Sequence, residues 1–421
     1  MGATLAQVLP LLREHYHDNI SEIFFKADKT TTPIMASMEA KSMDDGIGRQ
    51  FVVPIEYGLG SSAAGTFSVA QGTAQGSTAG SAALRDRWIG SATTIDAVAY
   101  WARDAVLAAK GPDELFDVMA REMDSKIWLV KKRLSMYAVE QGWGRVGTIT
   151  AITATTVTIS SSEINRIDIG DFIVASADIG TSALRATANT GNRVTGINPD
   201  TGAITVVTDA TATWAIGDIV FFYGDRQDAG PPSQIVPAGL GGWLPDTAPG
   251  STTWFNINRQ NNPNLGGHRV AANGADHPTT FIRTVNRLLK YGSKADIGYC
   301  SPEDYSVLCS DKDATKTVEI TLGKYQMGFD GVSVATNAGR VPIVPDAMKA
   351  QGSAYFGPFS DKNYAPFMAH NGDLVNVDDI DGNEITRAAT STNFEMRMYF
   401  RGQIFLPAPG KFAVATGLPS S

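Results

Sequence analysis

Cysteine and histidine are scarce in this chain: Cys300, Cys309 and five histidines are all it carries in 421 residues. Two thiols cannot make a disulfide framework, and neither has the second Cys or His that a zinc site needs. Both are therefore expected as reduced, buried side chains. His15 and His17 fall on opposite sides of a helix and do not converge on a metal. Long apolar runs are missing as well, and none approaches the roughly 18 residues of a membrane span. The opening MGATLAQVLPLLREHYHD has no basic segment followed by an apolar core, which points to synthesis in the cytosol with no membrane partner. Basic charge is in deficit at a net −8, against a dedicated nucleic-acid binder. No Gly-x-Ser-x-Gly elbow, His-Glu-x-x-His helix or Cys-x-x-Cys pair is present, so neither an enzyme nor a cofactor is expected. Gly58, Gly60 and Gly65 follow a strand-like run but match neither the dinucleotide fingerprint nor the P-loop. Asp378, Asp379, Asp381 and Glu384 cluster, but Val377 stands where a calcium loop needs an oxygen ligand, and a solvated hairpin tip is the simpler reading.

What the chain does have is enough apolar content, 43%, for a sizeable core, and length for two or three units at about 150 residues each. Its organising stretch is 112–141. Leu115, Met119, Met123, Ile127, Val130, Leu134 and Tyr137 recur at steps of three and four, the stripe of one amphipathic helix. Pro112 suits a first helical position, Asp113, Glu114 and Asp117 sit near the positive end of the dipole, and Gly142 with Gly144 marks the stop. At 1.5 Å per residue such a helix is roughly 45 Å long, a strut.

Before it, residues 1–50 hold one short amphipathic segment (Leu5, Val8, Leu11, Leu12, Tyr16) and too few apolar residues to fold unaided. Residues 51–90 flank a Gly/Ala/Ser/Thr-rich middle with two β-prone runs, FVVPIEYG and LRDRWIGSATTI. A ribbon of that length cannot bury its own faces, so its support is expected from outside the subunit. Residues 97–111 read as a strand end or a short helix. From 146 to 225 short alternating runs rich in Thr, Ile and Val take over. The turn Ile169-Gly170-Asp171 returns as Ile216-Gly217-Asp218, suggesting two related β units in a small barrel or sandwich. A Pro/Gly-rich connector, QDAGPPSQIVPAGLGGWLPDTAPGST, follows. HPTTFIRTVNRLLKYG then predicts a helix, and NFEMRMYFRGQIF alternates as a half-buried strand with Phe394, Met396, Met398 and Phe400 on one face.

Arm, Gly-rich hairpin, long helix ending in a Gly-rich turn, GFDGVSVATNAGRVPIVPD, and a final strand running into PAPGKFAVATGL occur here in that order. This arrangement resembles the major capsid proteins of tailed bacteriophages over most of the chain outside the 146–225 stretch. The resemblance implies an α+β fold: an N-terminal arm (1–50), an extended β-hairpin loop (51–90), a peripheral domain (91–145) with a spine helix (112–141), an inserted all-β domain (146–225), and an axial domain with the return strands of the peripheral domain (226–421). It implies a structural subunit that self-assembles into hexamers and pentamers of an icosahedral head enclosing double-stranded DNA. The chain would belong to the virion, with the host cytoplasm as the place of assembly. Implied partners are other copies of the chain, a separate scaffolding protein, a portal, and DNA held through non-specific contacts. Phe67, Val69, Arg85, Arg87 and Trp88 are then the expected subunit contacts, and Lys126, Lys131, Lys132 and Arg133 face DNA, a neighbour's carboxylates or solvent. An adhesin or decoration module acting through the β insert, and a bacterial compartment shell of the same fold, stay open at this point. Some members of the family weld subunits through a lysine of the extended loop, yet no lysine occurs between Lys41 and Lys110. Boiled, reduced particles are therefore expected to run on a denaturing gel as one single-chain band, without a ladder of covalent oligomers.

Overall fold

The computed structural model describes residues 32–42, 50–59, 83–101, 112–179, 182–185, 191–226, 235–310, 316–318, 332–337, 339–370, 374–377, 386–387 and 394–419. The first amphipathic segment with His15 and His17, Phe67 and Val69, and the acidic cluster of Asp378, Asp379, Asp381 and Glu384 lie outside them.

One long strand, Phe394–Phe405, is the backbone of the first sheet. It runs antiparallel to Thr93–Trp101 over that strand's whole length, from Phe394 opposite Trp101 to Gly402 opposite Thr93. On its other flank it pairs with Phe367–His370, which in turn takes Glu39–Ser42 as a parallel neighbour. The predicted alternation is present: Met396, Met398 and Phe400 are buried, Arg397 and Arg401 exposed. Thr93–Trp101 alternates too, because one face is covered and the other is open to water. The covering element is the spine helix, Pro112–Val139, which lays Met123 and Ile127 on Ala99, Trp101, Met396 and Met398. Further along the same stripe Val130, Leu134 and Tyr137 are buried. The helix stops at Val139, two residues short of the sequence expectation, and Gly142 (φ +84°) and Gly144 (φ +70°) turn the chain away in the left-handed region.

From there the chain enters a seven-stranded sheet made only of residues 145–222, in the order Arg145–Thr148, Ile219–Phe222, Phe172–Ser176, Asn192–Asn198, Ala203–Val206, Thr156–Thr158, Ala151–Thr153. The doubled turn is a true structural repeat. Gly170 and Gly217 both have positive φ, at +102° and +92°. The Asp171 carboxylate accepts from the Asp168 N–H, and the Asp218 carboxylate from the Ala215 N–H, each at 2.8 Å. The backbone carbonyls of the two aspartates receive the N–H groups of Val194 and Ile149 in the same way.

A further seven-stranded sheet carries the remainder: His268–Ala271, Ala413–Thr416, Ser353–Gly357, Ile297–Cys300, Gly339–Pro345, Val332–Thr336 and Lys316–Val318. The predicted helix, His277–Lys290, packs Phe281, Val285 and Leu288 on it. Cys300 is buried there, whereas Cys309 is exposed: it lies in the last turn of Pro302–Ser310, on the side away from the core that Leu308 enters.

Two expectations fail for related reasons. The Pro/Gly-rich stretch is no surface connector over 236–244, since Val236, Ala238, Leu240, Trp243 and Leu244 are all buried; it returns to the surface only from Asp246 on. Its glycines serve close approach. A Cβ on Gly239 would lie 1.9 Å from the Tyr137 carbonyl oxygen and 2.6 Å from that of Glu140, so the short helix Leu240–Trp243 abuts the last turn of the spine backbone to backbone. Nor is the base of the Gly-rich ribbon supported only from outside the subunit. Gln50–Gly58 pairs antiparallel with Leu84–Ser91, and Phe51 packs on Phe367 and Phe405 of the chain's own core. Because the obstructing atoms at Gly239 are backbone, relaxation is not cheap, and Gly239→Ala is expected to cost about 3 kcal/mol or more in chemical denaturation.

Candidate assembly interface

Along Leu84–Ser91 the first four residues are exposed, and burial begins only at Trp88. Trp88 is fully buried, edge-on to Trp243 at 5.1 Å, with its indole N–H toward the Pro407 carbonyl at 3.4 Å. It is a core residue, and the sequence-based assignment of Trp88 to a subunit contact is corrected: aromatic and amphipathic in a ribbon strand, it turns inward because Trp243 waits beneath. Arg85 and Arg87 are exposed. Arg85 pairs across the ribbon with Glu56 at 2.9 Å, with 73% of the Arg85 side chain still in water, so the pair contributes little to folding. Val52 and Leu84 are each nearly half exposed, and Leu59 is 90% exposed. Beneath this part of the ribbon runs a groove of about 660 Å³ walled by Ile55, Tyr57, Leu59, Tyr291, Tyr364 and Pro409. Apolar side chains thus line both the overhang and the floor.

The other predicted cluster divides. Lys126 pairs with Glu122 one turn away at 3.2 Å, and Lys131 lies over the Trp128 ring at 4.8 Å. Lys132 and Arg133 instead turn into the molecule. The Lys132 side chain is 5% exposed and meets Asp168 at 2.6 Å; Arg133 meets Asp171 at 3.3 Å and covers the Phe222 ring. Both are committed to the 145–222 sheet, which corrects their assignment to DNA or a neighbouring subunit. Their partners lie 36 and 38 residues away in sequence, beyond any helical spacing rule.

Next to this contact the hydroxyl of the buried Tyr137 donates to the half-buried Asp225. Burial drives the Asp225 carboxyl up to about 6, against the pull of Arg133 and of the Tyr137 hydrogen bond. Beyond it, Glu140 is buried with Arg166 at 2.7 Å and Arg145 at 3.3 Å, and Glu163 takes Arg145 at 2.8 Å and Arg166 at 3.3 Å. Burial alone would raise Glu140; the two guanidiniums overcome it and hold the carboxyl below its ordinary range. Arg166 also donates to the carbonyls of Val146 and Met348, which closes the 145–222 sheet onto the loop before Ser353–Gly357.

One further set resembles catalytic machinery in composition. Asp304 stands between Ser301 (3.0 Å) and His277 (3.3 Å), and all three are buried. A nucleophilic triad needs histidine in the middle and a hydroxyl open to substrate. Here Ser301 accepts from the Asp304 N–H at the start of Pro302–Ser310, so the set caps that helix.

No family model matches the sequence, and no curated protein matches it. Among solved structures, the capsid of cyanophage A-1(L) superposes with a TM-score of 0.53 at 10% identity, covering 99% of both chains. The chain has the tailed-phage major capsid fold. The capsid of the native GTA particle (TM-score 0.47, 9% identity, 100% of this chain and 99% of that one) and the holo-SrpI encapsulin complex of Synechococcus elongatus (0.45, 7%, 99% and 96%) are also similar.

The Asp225 site makes a pH dependence. Its folded pKa, about 6, lies above the 3.8 of a free aspartate, so folding favours the protonated acid. The stability it contributes is complete below about pH 4 and is lost as pH rises through about 6. Asp225→Asn, which cannot ionise, is expected to flatten the slope of unfolding free energy across that window and to be the more stable protein at pH 7, as read from urea titrations.

Proposed function

We propose that the chain is the subunit of an icosahedral phage head, self-assembling into hexamers and pentamers around double-stranded DNA. The observation that carries this reading is the ribbon: anchored at Trp88 and Phe51, it exposes Val52, Leu84 and Leu59 to water beside an apolar groove, in a fold that a cyanophage capsid shares. A solitary two-stranded ribbon is marginal in water, and a neighbouring subunit is the surface that would bury it. Arg85 and Arg87, with Phe67 and Val69 from outside the described residues, are the proposed contacts. Within this reading residues 1–50 are the arm, 51–90 the extended loop, 91–145 the peripheral domain, 146–225 the insert and 226–421 the axial domain with the peripheral return strands. A separate scaffolding protein and a portal complete the proposed assembly in the host cytoplasm, and the product is the virion. Lys126 and Lys131 supply at most weak phosphate contacts, which suffice for a container that reads no sequence.

Closed shells or capsomer sheets in negative-stain micrographs of the purified chain are the expected result, and persistent monomers would refute the proposal. The double variant Val52→Asp, Leu84→Asp is expected to stay monomeric in sedimentation while keeping a thermal midpoint within a few degrees of the parent's, since exposed substitutions shift stability by only about 0.5 kcal/mol each.

A further inference from the structure

Across Tyr291 from the ribbon groove, between the loops that precede His268–Ala271 and the end of His277–Lys290, is a pocket of about 340 Å³ lined by Arg259, Arg269, Arg287, His268, Asn261 and Asn262. Its charge is one-sided. Arg259 is 6% exposed, and among the described residues its only hydrogen bond goes to a neutral acceptor, the Trp243 carbonyl at 2.9 Å, while the guanidinium lies over the Trp254 ring at 4.7 Å. Its Nε is buried and has no hydrogen-bond partner among the described residues. Arg269 spends its donors on the carbonyls of Pro245, Thr247, Gly267 and Gly266, which shapes the loop but neutralises nothing. Arg287 lies at the rim over Tyr291, and Tyr291 stacks on His268 at 4.1 Å. Among the described residues no carboxylate forms an ion pair with any of the three arginines; Asp246 acts on Arg269 only at longer range. Burial and the neighbouring Arg269 push Arg259 down to about 9, the mark of a guanidinium with no counter-charge.

A second observation points the same way. His268 is 3% exposed, and its Nε2 is buried with no hydrogen-bond partner among the described residues. Burial and then Arg287 lower this imidazole, while the Gly410 backbone works in the opposite sense. Buried polar atoms in a folded protein are normally satisfied, and two unsatisfied nitrogens on the wall of one pocket mark a place where a ligand is expected. Three arginines call for more than one unit of negative charge, and their forked donors suit the oxygens of a tetrahedral anion.

We propose that this pocket binds an oxyanion of the phosphate class, either free phosphate or a phosphodiester of nucleic acid, through Arg259, Arg287 and His268 Nε2. Arg259 supplies a fixed buried charge, Arg287 closes over the anion from the rim, and Arg269 holds the loop. Nε2 either donates a proton it has taken up or accepts one from the P–OH of hydrogen phosphate, so both protonation states of the ring have a partner. The site does not depend on shell formation, and its test uses the unassembled full chain.

The probes are inorganic phosphate and a short single-stranded DNA oligonucleotide, each titrated calorimetrically against sodium chloride of matched ionic strength. Saturable phosphate binding is expected, weakened roughly tenfold or more in Arg287→Gln, whose exposed side chain can be changed without touching the core. Arg259→Lys, which keeps the charge but loses the fork, is expected to weaken it as well. Oligonucleotide binding that phosphate displaces, and that falls in the same variants, assigns the source to nucleic acid; phosphate binding without it assigns the free ion. The proposal is overturned if neither probe binds saturably, or if both variants, folded by circular dichroism, bind as tightly as the unaltered chain.

Discussion

The structure depends on how the spine helix is allowed to end. At Tyr137–Gln141 its last carbonyls would normally face water, but here Gly239 presses against those of Tyr137 and Glu140 and Gly242 against that of Gln141, closer than any side chain would permit. The same turn carries a carboxylate, Glu140, into the interior, where an unpaired charge would cost several kcal/mol. Two glutamates and two arginines make the set neutral, and the arginines come from Arg145 at the start of the 145–222 sheet and from Arg166 in the 3₁₀ turn Ser161–Arg166. Buried ion pairs of this kind are commonly no better for net stability than well-packed apolar groups. What they impose is geometry: each guanidinium fork has few satisfactory orientations, and any tilt of that sheet would strand a charge out of water.

The internal repeat of the 145–222 sheet shows how that geometry is put to use. Asp171 and Asp218 occupy equivalent turns with equivalent backbone bonds, yet Asp171 faces Arg133 of the spine whereas Asp218 takes a two-pronged contact from Arg185 within its own sheet. One copy of a local turn motif docks the 145–222 sheet on the spine, and the other closes that sheet on itself. Lys132 on Asp168 and Arg133 over Phe222 add to the docking side, so three consecutive elements of contact run along the spine.

Which parts were legible from sequence follows from the range of the forces involved. The spine helix, the alternation of Phe394–Phe405, the helix at His277 and the doubled Ile-Gly-Asp turn are local patterns, set by periodicity or by backbone conformations that glycine alone adopts cheaply. Residues whose meaning depends on a distant partner were misread. Lys132 and Arg133 look like a solvated charge run until Asp168 and Asp171 are brought alongside. Gly239, Gly241 and Gly242 look like linker glycines, because a glycine chosen for close approach is indistinguishable in sequence from one chosen for flexibility. The pocket of Arg259, Arg269, Arg287 and His268 gave no signal at all: its members are scattered through a Pro/Asn-rich loop, a strand and a helix, and only the fold collects them.

The ribbon and the spine are not independent. Trp243, in the short helix that abuts Glu140, lies edge-on to Trp88 of the ribbon and stacks on Phe255, whose carbonyl accepts from Ile89 of the same ribbon strand. A packed aromatic cluster of this kind does not deform smoothly, since losing half an ångström of contact forfeits much of the dispersion energy. The ribbon from Trp88 to Ser91 must therefore move with the end of the spine or not at all. Outward of Trp88 the four residues from Leu84 to Arg87 are exposed, and they rest on the core through the paired strand, whose Ile55 and Tyr57 pack against it. The step from exposed to buried falls within one strand, between Arg87 and Trp88, and anything that shifts Trp88 is felt at Glu140.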